Sequence, residues 1–205
     1  MDTRLNGIFR IVMLALSLSS SVALADAATD MARAKNFYNA QQLTDAAEIY
    51  NKLATQNYLP AQAMLGELLN YTESHVEATG WFIMAAFQGD PDGAYGLGRA
   101  YAEGLGIKKD PEQSLYWFKF AADKDNLAAI LILENAYRKG DTLPVSVDLK
   151  QAEFWKTKRI PLEAAAKKAY EESRAAAQKE IDDKAAANKK ADEEAAKQSR
   201  KGQTK

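Results

Sequence analysis

Glycines at 96, 98, 104 and 106, followed by Lys108 and Lys109, are the residues here that come nearest to a phosphate cradle. Such a cradle exposes backbone N–H groups at the start of a helix and is entered from a strand. In "GLGRAYAEGLGIKKD" the residues ahead of the later glycines keep helical spacing instead, with Leu97 and Tyr101 four apart. Lys108-Lys109-Asp110 also lacks the Lys-Ser or Lys-Thr of a nucleotide loop. The single histidine, His75, follows Ser74 directly, but no Gly-x-Ser-x-Gly elbow accompanies the pair. It reads as a surface loop histidine. With no cysteine in the chain, thiolate metal sites, disulfides and cysteine nucleophiles are excluded. Asp123 with Asp125 looks like a turn between helices, and Asp182-Asp183 and Glu193-Glu194 look solvated. No catalytic, cofactor-binding or metal-ligating residue is assigned, and no enzyme is expected.

If the glycines do no chemistry, they must serve packing, and a repeat explains how. From Gly93 the chain reads small, Leu97-Gly98, Tyr101, Gly104, Asp110, Ser114, Trp117, Ala121-Ala122. The same order runs backward through Ala61, Leu65-Gly66, Leu69, Trp81 and Ala85-Ala86. It runs forward through Ala129, Leu133, Tyr137, Gly140, Asp148, Ala152 and Trp155. Trp81 and Trp117 stand 36 apart, Trp117 and Trp155 38 apart. A period of this size marks stacked helix hairpins. Units are expected at about 30–60, 61–92, 93–128 and 129–160, the first looser than the rest. Asp110-Pro111 is a helix start, with Asp as cap and Pro at the first helical position. Asp90-Pro91 opens another helix, Ser74 to Glu77 reads as a capping box, and Gly104 suits a left-handed helix stop. Each Trp is expected to fill the volume beside its unit's glycine.

These residues are where the chain resembles a known family. "GAYGLGRAYAEGLGIKKDPEQSLYWFKFAA" is similar to the Sel1-like repeat, a relative of the tetratricopeptide repeat. The likeness covers residues 59 to 158 and is close only in the central unit. Glu134 stands where Gly98 stands, and residues 71 to 75 shorten the preceding loop. The resemblance implies an all-α, right-handed solenoid of antiparallel hairpins that holds other proteins and has no catalysis of its own. By analogy with tetratricopeptide grooves, the first helix of each pair would face a partner. The candidate partner-binding residues are Glu67, Asn70 and Tyr71, with Ala63; Tyr95, Arg99 and Glu103, with Ala102; and Asn135 and Arg138, with Leu131 and Lys139.

Outside the repeats, Arg4 and Arg10 precede the apolar run Ile11 to Leu18, and small residues lead to Ala23-Leu24-Ala25. That is the pattern of a secretory signal cleaved near Ala25, so the expected location is periplasmic or secreted, with no stable membrane insertion after cleavage. After Pro161 the composition shifts to Ala, Lys, Glu, Gln and Asp. The tail 161–205 is expected to be a solvated helix, partly disordered, or a spacer or coiled-coil segment; Leu162 and Tyr170 are candidates to cap the repeats. A net charge of −1 gives no reason to expect nucleic acid. The expected function is an exported, non-catalytic adaptor or scaffold that binds a protein partner and needs no cofactor. The alternative is a regulatory or inhibitory subunit of a cell-envelope enzyme.

Overall fold

A computed structural model of the chain describes residues 26–202, and among these there are eight helices and no strand. The signal-like segment 1–25 and the last three residues lie outside the described residues. Helix α1 covers 26–39. It is followed by α2 (Leu43–Thr55), α3 (Leu59–Tyr71), α4 (His75–Phe87), α5 (Pro91–Glu103), α6 (Pro111–Asp123), α7 (Leu127–Lys139) and α8 (Leu149–Gly202). Each of α2 to α7 is thirteen residues long. From α2 to α7 consecutive helices pack on one another, and α3 also meets α5, as expected for hairpins stacked into a solenoid.

The helix starts follow local chemistry. Asp90 accepts from the Gly93 N–H at 2.7 Å, and Asn126 from Ala129 at 2.9 Å. Asp110 accepts from Glu112 and Gln113, both at 3.1 Å. Asp148 accepts from Lys150 and Gln151. Each such cap satisfies N–H groups that the first turn leaves free and stabilises by about 1 kcal/mol. Ser74 differs from its expected role: its side chain makes no capping bond, and the turn before α4 closes through the backbone, Ser74 N–H to Leu69 O at 2.8 Å. Gly104 and Gly140 end α5 and α7 in the left-handed region, at φ 81° and 71°.

Five connections are three-residue turns, and the middle residue of each is left-handed: Gln41, Asn57, Glu73, Gly89 and Asp125. Two connections are longer, 104–110 and 140–148.

Thirteen-residue helices make the packing register easy to follow. Position eight is Gly66 in α3 and Gly98 in α5; in α4 and α6 it is Phe82 and Phe118. A Cβ on Gly66 would meet the Phe82 ring at 2.6 Å, and one on Gly98 would meet Phe118 at 2.8 Å. A Cβ on Gly96 would also meet the Phe82 ring. The phenylalanines, and not the tryptophans at position seven, therefore fill the space beside the glycines. The reason is helical phase, since adjacent positions on a helix point about 100° apart. Ala34 and Tyr50, both fully buried, hold the corresponding places in the first hairpin. Glu134 and Lys156 hold them in the last. Truncating such an aromatic to alanine typically costs about 3–5 kcal/mol. Turns are tied across hairpins by Gln62, fully buried, which donates to Ala54 O and Asn57 Oδ1 and accepts from Gln88.

The described residues divide into two compact units, with the boundary between 156 and 157. Helix α8 continues through Pro161 without ending at the shift in composition. In the second unit the side chains described from 163 to 189 are exposed, Tyr170 at 69% and Ile181 at 60%. The helix carries ion pairs four residues apart, Arg159 to Glu163 at 2.6 Å and Lys184 to Glu180 at 2.6 Å among them. Each contributes a few tenths of a kcal/mol. The Lys184 ammonium holds the Glu180 carboxyl below its ordinary range.

Candidate partner-binding cleft

The predicted residues occupy positions five, nine, twelve and thirteen of α3, α5 and α7, so the repeat brings them onto first helices in register. Between α5 and α7 they meet at a cleft of about 390 Å³. Arg99, Ala102 and Glu103 come from α5, and Asn135 and Lys139 from α7. The floor is apolar, made by Phe118, Ile132 and Leu143. None of these three was foreseen. Phe118 could have been found from its register with Phe82, both facing glycines. Leu143 is a loop residue only 8% exposed, and nothing local in "KGDTLPVSVD" marks it from its neighbours.

Arg99 is held in place from two sides. Its Nη1 lies 3.3 and 3.2 Å from the two carboxylate oxygens of Glu67, one hairpin earlier. Its guanidinium carbon stands 5.7 Å from the centre of the Tyr95 ring, a cation–π arrangement. Tyr95 in turn packs on Phe118, with ring centres 5.9 Å apart. Burial pushes the Tyr95 hydroxyl above its ordinary range, and Arg99 pulls it partly back. A guanidinium fixed this way presents its remaining N–H groups at the cleft rim without having to be ordered first.

The other candidates lie apart from the cleft lining. Asn70 Oδ1 lies 2.9 Å from His75 Nδ1, within hydrogen-bond distance. His75 itself is the first residue of α4, not a loop residue. Tyr71 ends α3 and is 60% exposed. Arg138 is turned away to Glu134 at 2.6 Å, a carboxylate that is itself buried. Leu131 is 45% exposed, whereas Ala63 is buried at 2% and has no surface to offer.

Chemically, the cleft suits an apolar side chain on its floor and a polar backbone or charged group at its rim. Among the described residues no group of three or more His, Cys, Asp or Glu could hold a metal ion, and no helix is long and apolar enough to cross a membrane.

Comparison with known proteins places this architecture. Residues 91–126, which are α5, the 104–110 loop and α6 with the following turn, match the Sel1 repeat model. The chain is 31% identical over 130 residues to an uncharacterized protein of Neisseria meningitidis serogroup B, covering 62% of this chain and 27% of that one. It therefore spans about a quarter of the length of this curated relative. Among solved structures it is similar to a Sel1 repeat protein from Oxalobacter formigenes, with a TM-score of 0.57, 28% identity, and coverage of 65% of this chain and 57% of the other. It is also similar to a protective antigen present in uropathogenic Escherichia coli strains displaying an SLR fold. There the TM-score is 0.54 at 27% identity, covering 70% of this chain and 32% of that chain.

Proposed function

From a chain that carries a Sel1 repeat and the solenoid fold of Sel1 repeat proteins, modules that bind other proteins, we propose a non-catalytic adaptor. It seats a segment of its partner between α5 and α7. The observation that carries this reading is the doubly anchored Arg99 above the Phe118, Ile132 and Leu143 floor. An apolar anchor residue of the partner would enter the floor, while Arg99, Glu103, Asn135 and Lys139 set its direction from the rim. The adaptor works outside the cytoplasm, in the periplasm or beyond, a reading supported by the basic, apolar and small-residue order of residues 4–25.

Photo-crosslinking tests this. A benzophenone amino acid is placed at Asn135 or Lys139 in the full chain, with Val76 on α4 as control, in intact cells. The cleft positions should capture one defined protein that Val76 does not, and Tyr95→Ala with Arg99→Ala should reduce capture severalfold while far-UV helicity stays. The same adducts from all three positions, or capture indifferent to the double substitution, would refute the cleft as the docking site.

A further inference from the structure

A second cleft, of about 500 Å³, lies between α2 and α4 over α3. It opens between second helices, whereas the cleft above opens between first helices, so the two belong to different layers of the solenoid. Its walls include Thr44 and Ala47 of α2, Leu65 of α3, and Trp81 of α4, with Glu48 and Glu77 at the edge.

The next hairpin shows why this space is open. There the seven-residue loop 104–110 lies on the start of α4. The Thr79 hydroxyl donates to Leu105 O at 2.7 Å, and the Gly106 backbone presses so closely on His75 and Val76 that no side chain would fit. Val76 and Thr79 are positions two and five of α4. The same positions of α2 are Thr44 and Ala47, the walls of the open cleft. The connection before α4 has only three residues, 72–74, and is too short to cover them. Trp117, with its ring 5.4 Å from Phe87 of α4, is 7% exposed, whereas Trp81, at the same helical position, keeps a part-exposed ring on the cleft.

We infer that this cleft receives a short segment of a protein partner bearing a lysine or arginine, seated where the missing loop would lie. Charge selects that occupant. Glu48 and Glu77 line the cleft together with the Trp81 indole, while the residues in register in the next hairpin are Gly80 and Gln113, so the negative pair is peculiar to the open cleft. An indole face beside carboxylates attracts an ammonium or guanidinium group. The apolar walls cover its methylene stem. An acidic segment or a nucleic-acid phosphate would be repelled. The inference does not rest on the cleft between α5 and α7.

The test uses the full chain and capped tetrapeptides, acetyl-Gly-Leu-X-Gly-amide with X as Lys, Arg, Gln or Glu, followed through the three tryptophan indole N–H resonances. The Lys and Arg peptides should shift Trp81 saturably and leave Trp117 and Trp155 in place. The Gln peptide should bind at least about fivefold more weakly, and the Glu peptide should give no shift, as expected for one or two exposed charge contacts. Glu48→Gln with Glu77→Gln, both exposed positions, should weaken the Lys peptide about tenfold, and added salt should do the same. Exchanging residues 72–74 for a copy of 104–110 should close the cleft and abolish the shift. Equal response to Glu and Lys peptides, no Trp81 shift by any peptide at about 10 mM, or undiminished binding after the loop exchange would overturn the assignment.

Discussion

Replacing Gly98 with alanine should destabilise this protein, while the same replacement at Gly80 should stabilise it. Both glycines lie inside helices, so each substitution gains about 0.8–1 kcal/mol of helix propensity. What separates them is the space a methyl group would enter. At Gly80 nothing lies within 4 Å. At Gly98 the new Cβ would stand 2.8 and 2.9 Å from Phe118 Cδ1 and Cε1, so the ring must retreat by roughly half an ångström to reach ordinary contact. It cannot do so freely, because Tyr95 packs on it and the cleft floor includes it. Overpacking of this kind costs about 1–3 kcal/mol. The net expectation is a gain of about 1 kcal/mol at position 80 and a loss of up to about 2 kcal/mol at position 98. Urea unfolding of the full chain measures both. Tryptophan fluorescence is the better signal, since all three tryptophans lie before residue 157 whereas the solvated helix adds to the circular dichroism. Phe118→Leu should cost less in the Gly98→Ala background than alone, giving a coupling energy in a double-mutant cycle. Equal gains at 98 and 80, or no coupling with Phe118, would show that close approach is not what glycine supplies at position eight.

Two further outcomes are expected. Tyr50 is fully buried and its hydroxyl has no hydrogen-bond partner among the described residues, so Tyr50→Phe should stabilise by about 1 kcal/mol. Burial, with a smaller contribution from Tyr38, pushes the Tyr50 hydroxyl up to about 12. The unfolded chain ionises it first, so wild-type stability should hold below pH 10 and fall as pH rises through 12, a dependence the Phe variant should lose in part; a destabilised variant would refute the unpartnered hydroxyl. Asp90 caps α5, yet burial outweighs its bond from Gly93 and raises its carboxyl above the ordinary range. Its ionisation therefore opposes folding as pH rises past the usual carboxylate range, and Asp90→Asn, which keeps the cap acceptor, should stabilise at pH 7 and not at pH 3. Thermal denaturation at the two pH values decides it.

The hairpin architecture was legible because its signals are local. Trp81, Trp117 and Trp155 carry the period, Asp90, Asp110 and Asp148 mark helix starts, and Gly104 and Gly140 mark ends. The partner of each glycine was not, since side-chain volume favours Trp117 and only helical phase selects Phe118. Left-handed turn centres at Gln41 and Glu73 carried no sequence mark, because these residue types do not favour that conformation, whereas Asn57 and Asp125 are of types that tolerate it. First-helix register gathers Arg99, Glu103 and Asn135 at one cleft. It missed the floor, which comes from the neighbouring second helix and from a loop leucine. Arg138 and Asn70 went elsewhere because each found a closer partner, Glu134 and His75.

The two connection lengths before α4 and α6 separate what the chain recognises from what keeps it folded. Four residues more or fewer in that connection cover or uncover the start of the preceding hairpin's second helix, while helix lengths and the glycine–phenylalanine register stay as they are. Insertions and deletions at that point give such proteins a way to acquire or discard a contact surface without passing through an unstable intermediate.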